Sequence, residues 1–282
     1  MRPALCGPFF RMPPKISPRI AAQLDAVYAR YNRPEFIRPD PMQFLFDYAD
    51  ARDREIVGLI ASSLAFGTVK HILKSVGSVL ERMGAPRAYL DGVTAKSLAK
   101  DFKDFRHRYV TGEHLSALLW GVACVTREHG SVEACFAAHL DEADATLMPA
   151  LDRFVTEVGR YSAMPQNYLL PAPVRGSACK RPNMFLRWMT REDAVDPGGW
   201  KAVPPSKLVI PLDTHMYRIA RTLRLTKRKQ ANLLTALEVT AAFRTRVPDD
   251  PVRYDFALTR LGIRRDTDLP AFFKDCGVRE SG

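Results

Sequence analysis

Cysteine is scarce in this chain, with five in 282 residues, at positions 6, 124, 135, 179 and 276. No two of them stand as CxxC. The odd number and this spacing give no disulfide framework, no zinc site and no iron–sulfur cluster, and they fit reduced thiols in a cytosol. Long apolar runs are missing too. None approaches the roughly 20 residues that cross a bilayer, so no membrane segment is expected. The opening stretch MRPALCGPFFRMPPK is broken by prolines and its apolar run is too short for a signal peptide. Strand signals are equally rare. Leu208-Val209-Ile210 is the strong candidate, and a proline follows it at once. Internal repeats and low-complexity segments are absent.

Positive charge is what the chain has in plenty. The formal net charge is +11 and the sequence pI is about 9.6, a balance that suits a polyanionic partner such as nucleic acid. A hydrophobic content of 46% is enough to bury a real core.

Taken in order, residues 1–17 read as a proline-rich irregular arm, and Ser17-Pro18 as a helix start. Residues 33–42 read as a connector. From Asp53, Ile56, Ile60 and Leu64 recur at helical spacing among small residues, which predicts a closely packed helix ending near Gly67. Val69 to Leu80 keep the same period, and Met83-Gly84-Ala85-Pro86 breaks it. Phe102, Phe105 and Tyr109 alternate with Lys103, Arg106, His107 and Arg108. Such mixing can line a nucleic-acid surface, but a helix with a core face and a solvated face is the simpler expectation. Helices are predicted around Leu115–Val122, Leu147–Val158, the segment after Asp213, and roughly 227–245. Residues 161–177 read as a loop. Asp249-Asp250-Pro251 predicts another helix start and Gly262 its end. Residues 264–282 look mixed and frayed. The fold class expected is therefore all-α, with about ten helices.

The stretch from Gly176 to Arg221 carries the chemistry. In the helix expected from about Cys179 to Thr190, Lys180, Met184, Arg187 and Arg191 fall along one stripe, with Phe185, Trp188 and Met189 beside it. Cations and bulky apolar groups around an amine favour its neutral form, the form that attacks. The simpler alternative is that Lys180 and its arginines hold phosphates as fixed charges. Asp193, Asp196, Gly198 and Gly199 suggest tight turns, and Trp200 a core plug. The spacing does not fit an EF-hand. In Pro211-Leu212-Asp213-Thr214-His215, the aspartate is placed to cap the next helix. Capping is the bland reading of Asp213, and amide bonds would keep its carboxylate charged beside a cleft. His215 is given a supporting role.

The run Leu-Asp-Thr-His-Met-x-Arg, ending at Arg218, resembles the helix-hairpin-helix DNA glycosylase superfamily. There an aspartate opens a helix facing the base pocket, and in bifunctional members an upstream lysine attacks the sugar. The superfamily's Leu-Pro-Gly-Val-Gly hairpin is replaced here by Gly-Ser-Ala-Cys-Lys-Arg-Pro-Asn-Met. Lys180 and Asp213 lie 33 positions apart, a layout nearest that of the archaeal 8-oxoguanine DNA glycosylases. No four-cysteine cluster stands at the C-terminus, which separates the chain from the endonuclease III-like and adenine glycosylase branches. The segments GSACKR, NMFLRWM, IPLDTH and DPVRYDFAL together resemble a bacterial family labelled DUF2400, from about Pro41 to Gly262.

The resemblance implies a glycosylase-like all-α unit in two helical lobes with a cleft between them. One lobe would hold about 53–212, the other 1–52 plus 213–282. It implies base-excision repair of duplex DNA carrying a damaged base, an oxidised base among the candidates, with AP-lyase activity through a lysine Schiff base. Lys180 and Asp213 would be catalytic. Gly176, Ser177, Lys180, Arg181, Arg187, Arg191, His215 and Arg218 would contact DNA. Phe185 and Trp188 would stack on the base, although core packing is their simpler role. No metal or other cofactor is called for, and a monomer at the cytoplasmic nucleoid is expected. The alternatives are a non-catalytic nucleic-acid-binding protein, or a glycosylase acting on RNA or nucleosides.

Overall fold

A serine–proline step opens the first helix, as expected. In the computed structural model, which describes residues 13–162, 164–264 and 266–279, Ser17 accepts from the Ile20 amide at 3.3 Å and caps α1 (Pro18–Tyr31). Proline at the first helical position loses no intrahelical bond. Most of the proline-rich arm expected over 1–17, including the cysteine at position 6, lies outside the described residues.

The chain continues through α2 (Ala51–Ser63), α3 (Val69–Met83), α4 (Pro86–Gly92) and α5 (Ala95–Asp101). A two-residue hairpin follows, with β1 (Arg106–His107) antiparallel to β2 (Val110–Thr111). Then come α6 (Gly112–His129), α7 (Val132–Ala137), α8 (Met148–Arg160), α9 (Lys180–Thr190), α10 (Thr214–Thr222), α11 (Leu233–Arg244), α12 (Asp255–Ile263) and α13 (Leu269–Asp275). The hairpin is the sole sheet among the described residues, so the all-α expectation holds at the level of class. No helix among them is long and apolar enough to cross a membrane.

The second helix is the centre of the packing. Every residue from Glu55 to Ser63 is buried, because α9, α4, α7 and α3 surround it. Its small residues permit that crowding: a Cβ placed on Gly58 would stand 3.3 Å from Leu45 Cδ2 and 3.4 Å from Met189 Sδ. The buried apolar side chains join in one continuous cluster. Inside it, Glu55 accepts from the Val132 and Glu133 amides and from the Trp200 indole at 2.9 Å. Trp200 thus plugs the core and also satisfies a buried carboxylate.

Several expectations fail for physical reasons. The aromatic-and-basic segment 102–109 is no helix. Phe102 ends α5 and is buried, whereas Tyr109 is 54% exposed. Between them Arg108 takes a left-handed φ of 57° and the chain reverses. The reversal is so tight that a Cβ on Gly112 would fall 1.8 Å from the Phe102 carbonyl oxygen. Leu208-Val209-Ile210 is buried but joins no sheet, since no strand lies alongside. The Ile210 amide donates instead to Thr240 Oγ1 at 3.0 Å. The eleventh helix starts at Leu233, later than expected, where Asn232 caps it. Asp250 does not open a helix at Pro251, because its carboxylate is taken by Arg191, and α12 begins at Asp255. The C-terminal region holds α13, capped by Asp268 and anchored by buried Phe272 and Phe273.

Candidate active site

The lysine expected to react begins α9, and the turn before it is strained. Gly176 has φ 76° and Cys179 has φ 47°, both left-handed, a conformation that a non-glycine residue keeps only when its surroundings enforce it. The surroundings do so here. Gly176 O accepts from the Leu233 amide at 3.1 Å, Ser177 bridges to Asn232, and the buried Cys179 accepts from the Asn183 amide at 3.0 Å. Pro182 sits in the first turn of α9, where no amide hydrogen is needed. The start of α9 is therefore tied to the start of α11.

Asp213 caps α10. Its Oδ1 accepts from the Met216 amide at 2.8 Å. Its other oxygen, Oδ2, stands 3.3 Å from Lys180 Nζ, with the two side chains 38% and 16% exposed. One carboxylate oxygen fixes the helix and the other meets the amine. The pair lies on a cleft of about 750 Å³ whose walls come from the α2–α3 turn, α9, α10 and α12. Ser177, His215, Phe66 and Tyr168 stand at this cleft too, and Asp40, Trp188, Asp255 and Arg260 line it deeper in.

The cationic stripe expected along α9 does not surround the lysine. Arg187 and Arg191 are buried and turned to carboxylates. Arg187 binds Asp196 at 3.1 Å and also Asp255. Arg191 binds both oxygens of Asp250, Asp193 at 2.7 Å, and Asp196. These two guanidiniums have no face left for phosphate. The loop aspartates that suggested turns thus serve as counter-ions. Two cations confront four carboxylates, and burial pushes the carboxyls of Asp196 and Asp255 up, that of Asp255 to about 6. Arg187 is held in its charged form by the carboxylates that flank it.

Arg181 is also buried. It donates to the carbonyls of Ser63 and Tyr168 at 2.6 Å and lies over the rings of Tyr168 and Phe66, 4.4 and 5.0 Å from their centroids. Phe185 packs edge-on against Trp200 away from the cleft, and Trp188 lines the cleft but is 1% exposed. Core packing, the simpler role, is what both perform. Gly176 and Ser177 are exposed, as is Arg218 on α10, while His215 packs its Cβ against Gly262.

Residues outside the expected site set stand here too, some of them from the aromatic-and-basic segment 102–109. Phe66, Tyr109 and Tyr168 form an aromatic group with centroid separations of 4.8 to 5.5 Å, and Tyr109 and Tyr168 are largely exposed. His107 holds this group from beneath. Its Nε2 donates to the Phe66 carbonyl at 2.9 Å, Nδ1 accepts from Ser75, and burial lowers its affinity for a second proton. Beyond Tyr109 a second groove of about 580 Å³ is lined by His71, Lys74, Arg82, Arg106 and Arg108, with Asp104 as its one acid. Asp255 and Arg260 also line the cleft, and their Oδ1 and Nε atoms are buried with no hydrogen-bond partner among the described residues. Asp255 lies within DPVRYDFAL, but nothing in its spacing marks it as part of a site.

Comparison with known proteins adds a family and nothing finer. No curated protein and no solved structure matches the chain. A family model described as "Protein of unknown function (DUF2400)" matches residues 40–264, most of the chain, and the protein belongs to that family.

Proposed function

We propose that this protein is a DNA base-excision glycosylase with AP-lyase activity, built as a glycosylase-like all-α fold whose two helical lobes flank the cleft. The observation that carries the reading is Lys180 Nζ 3.3 Å from Asp213 Oδ2 on that cleft. The resemblance of the Asp213–Arg218 segment to the helix-hairpin-helix glycosylases supplies the reaction. The basic groove and the exposed aromatic group support a nucleic-acid partner, since phosphates follow cations and bases stack on rings.

In this reading a damaged nucleotide leaves the duplex and enters the cleft. Lys180 passes a proton to Asp213 and its amine attacks C1′. The Nζ–C1′ bond forms as the C1′–base bond breaks, and the base leaves with the proton that Asp213 took up, which returns Asp213 to its charged form. Opening of the sugar ring gives a Schiff base. Loss of a C2′ proton then expels the 3′ phosphate and cuts the strand. Asp213, fixed by its cap, stabilises the positive charge that develops on the sugar.

The test is borohydride trapping on duplex oligonucleotides that each carry one lesion. A covalent adduct with wild type that disappears in Lys180→Gln supports the proposal. Base release without an adduct leaves a monofunctional glycosylase in which Asp213 works with water. One observation favours a non-catalytic reading: the amine already has a carboxylate partner. That reading expects salt-sensitive DNA binding and no base release from any lesion.

A further inference from the structure

Away from the cleft, three helices bring metal-type donors to one point. His129 is the last residue of α6, Cys135 lies in α7, and Glu157 lies in α8. Their ligand atoms all lie within 4.8 Å of one another. His139, just after α7, joins the same carboxylate from its other side. Glu157 Oε1 meets His129 Nε2 at 2.8 Å and Oε2 meets His139 Nε2 at 2.5 Å. The thiol is fully buried, while the histidine side chains are 23% and 21% exposed and that of Glu157 11%. The histidines and the carboxylate are thus the donors that solvent reaches.

We propose that His129, Cys135, His139 and Glu157 form a binding site for a zinc-type divalent cation. Two imidazoles, a thiolate and a carboxylate are the donor set that a four-coordinate Zn²⁺ accepts, with metal–ligand bonds of about 2.0 to 2.3 Å. Ligands around such an ion stand roughly 3.3 to 3.8 Å apart, so the two histidine contacts to Glu157 need to open by about 1 Å, while His139, outside the group of three that lies within 4.8 Å, needs to move in towards the other donors. Binding forms an S–metal bond and releases the thiol proton to solvent, and each imidazole binds in its neutral form. Without a cation the buried thiol is strongly disfavoured as thiolate, pushed up to about 12 by burial and then by Glu157. The surroundings suit a structural site. Arg160 lies 3.7 Å from Glu157 Oε1, and Arg153 donates to the His139 carbonyl at 2.6 Å, which steadies both ligands. The ion would join the end of α6, α7 and α8, and Glu55 already clamps the other end of α7.

CxxC spacing could not reveal this cluster, because its members stand at 129, 135, 139 and 157. The site is independent of the reading of Lys180.

The test is titration of the metal-free full-length protein with Co²⁺ and then Zn²⁺. One equivalent of cobalt is expected to give a near-ultraviolet thiolate-to-cobalt band and the visible bands of tetrahedral geometry. Zinc should bleach both and raise the Tm. Cys135→Ser should remove the thiolate band and weaken zinc uptake by about 100-fold or more, and His129→Gln and His139→Gln should each weaken it by at least about 10-fold. Wild type without a thiolate band at saturating cobalt overturns the proposal. If Cys135→Ser does not fold, the partly exposed histidines decide, and unchanged zinc affinity in both variants overturns it equally.

Discussion

Two ends of one helix treat positive charge in opposite ways. At the start of α9, Lys180 is 38% exposed and has a single carboxylate within reach. About two and three turns later, Arg187 and Arg191 are buried among Asp193, Asp196, Asp250 and Asp255. The difference is one of saturation. A buried guanidinium with every donor matched is a structural cross-link, and losing it strands several charges at once. A half-exposed amine with one partner is free to exchange that partner for a substrate. Residue type alone does not separate the two cases, since all three are cations on the same face of the same helix.

The comparison can be broken most forcefully from the buried end. Arg191→Met removes the cation shared by three aspartates, and it is expected to destabilise the protein by about 3 to 5 kcal/mol. Urea denaturation measures this, and a loss under about 1 kcal/mol would mean that the cluster is not saturated as described. At the other end, Lys180→Gln should leave stability within about 1 kcal/mol. It should also lower strand cleavage at a lesion by about 10³-fold, an effect on the order of 4 kcal/mol in the barrier. Should Lys180→Gln prove as destabilising as Arg191→Met, the contrast between the two ends disappears.

Asp213→Asn sharpens the contrast within a single side chain. Asparagine caps helices as well as aspartate, so the melting curve should move little. Base release is expected to fall by about 10²-fold, as befits loss of a charge that stabilises the transition state. Tyr109→Ala acts outside both clusters and should weaken binding to DNA by about 1 kcal/mol, read in a fluorescence titration at fixed salt, with no change in folding.

The gentlest probe is pH. In the folded protein Asp255 holds its proton up to about pH 6, whereas an ordinary aspartate has lost it by about 4. The folded state therefore binds that proton more tightly than the unfolded chain does. The share of stability due to Asp255 is complete at low pH and is lost as pH rises from about 4 to about 6. Asp255→Asn should flatten the stability–pH curve over that window, and an unchanged slope would assign the retained proton to another group.

How much of this could be read beforehand follows from which interactions are local. Ser17-Pro18, the α2 and α3 periodicities and the cap at Asp213 depend on residues within a turn of each other, and they were legible. Segment 102–109 was not. Its aromatic spacing suits a helix, and what reverses the chain is close backbone contact between Gly112 and Phe102. Arg187 and Arg191 look like phosphate ligands in the sequence because their partners Asp255 and Asp250 lie far along the chain. Lys180 and Asp213 could be named as a candidate pair through resemblance, but the division of the aspartate between amide and amine needed coordinates. The aromatic group and the four donors around Glu157 are assembled from separate elements, so no window of sequence contains them.

The loop between α9 and α10 has one more consequence. It is closed by Arg187 and Arg191 holding Asp193 and Asp196, and by the left-handed glycines at 198 and 199 that let it fold back. Lys180 and Asp213 sit on either side of it. The amine and the carboxylate therefore meet only when the loop closes. Closing the loop carries an entropic cost that the buried ion cluster must offset. The Lys180–Asp213 pair thus depends on a knot of charges that lies outside it.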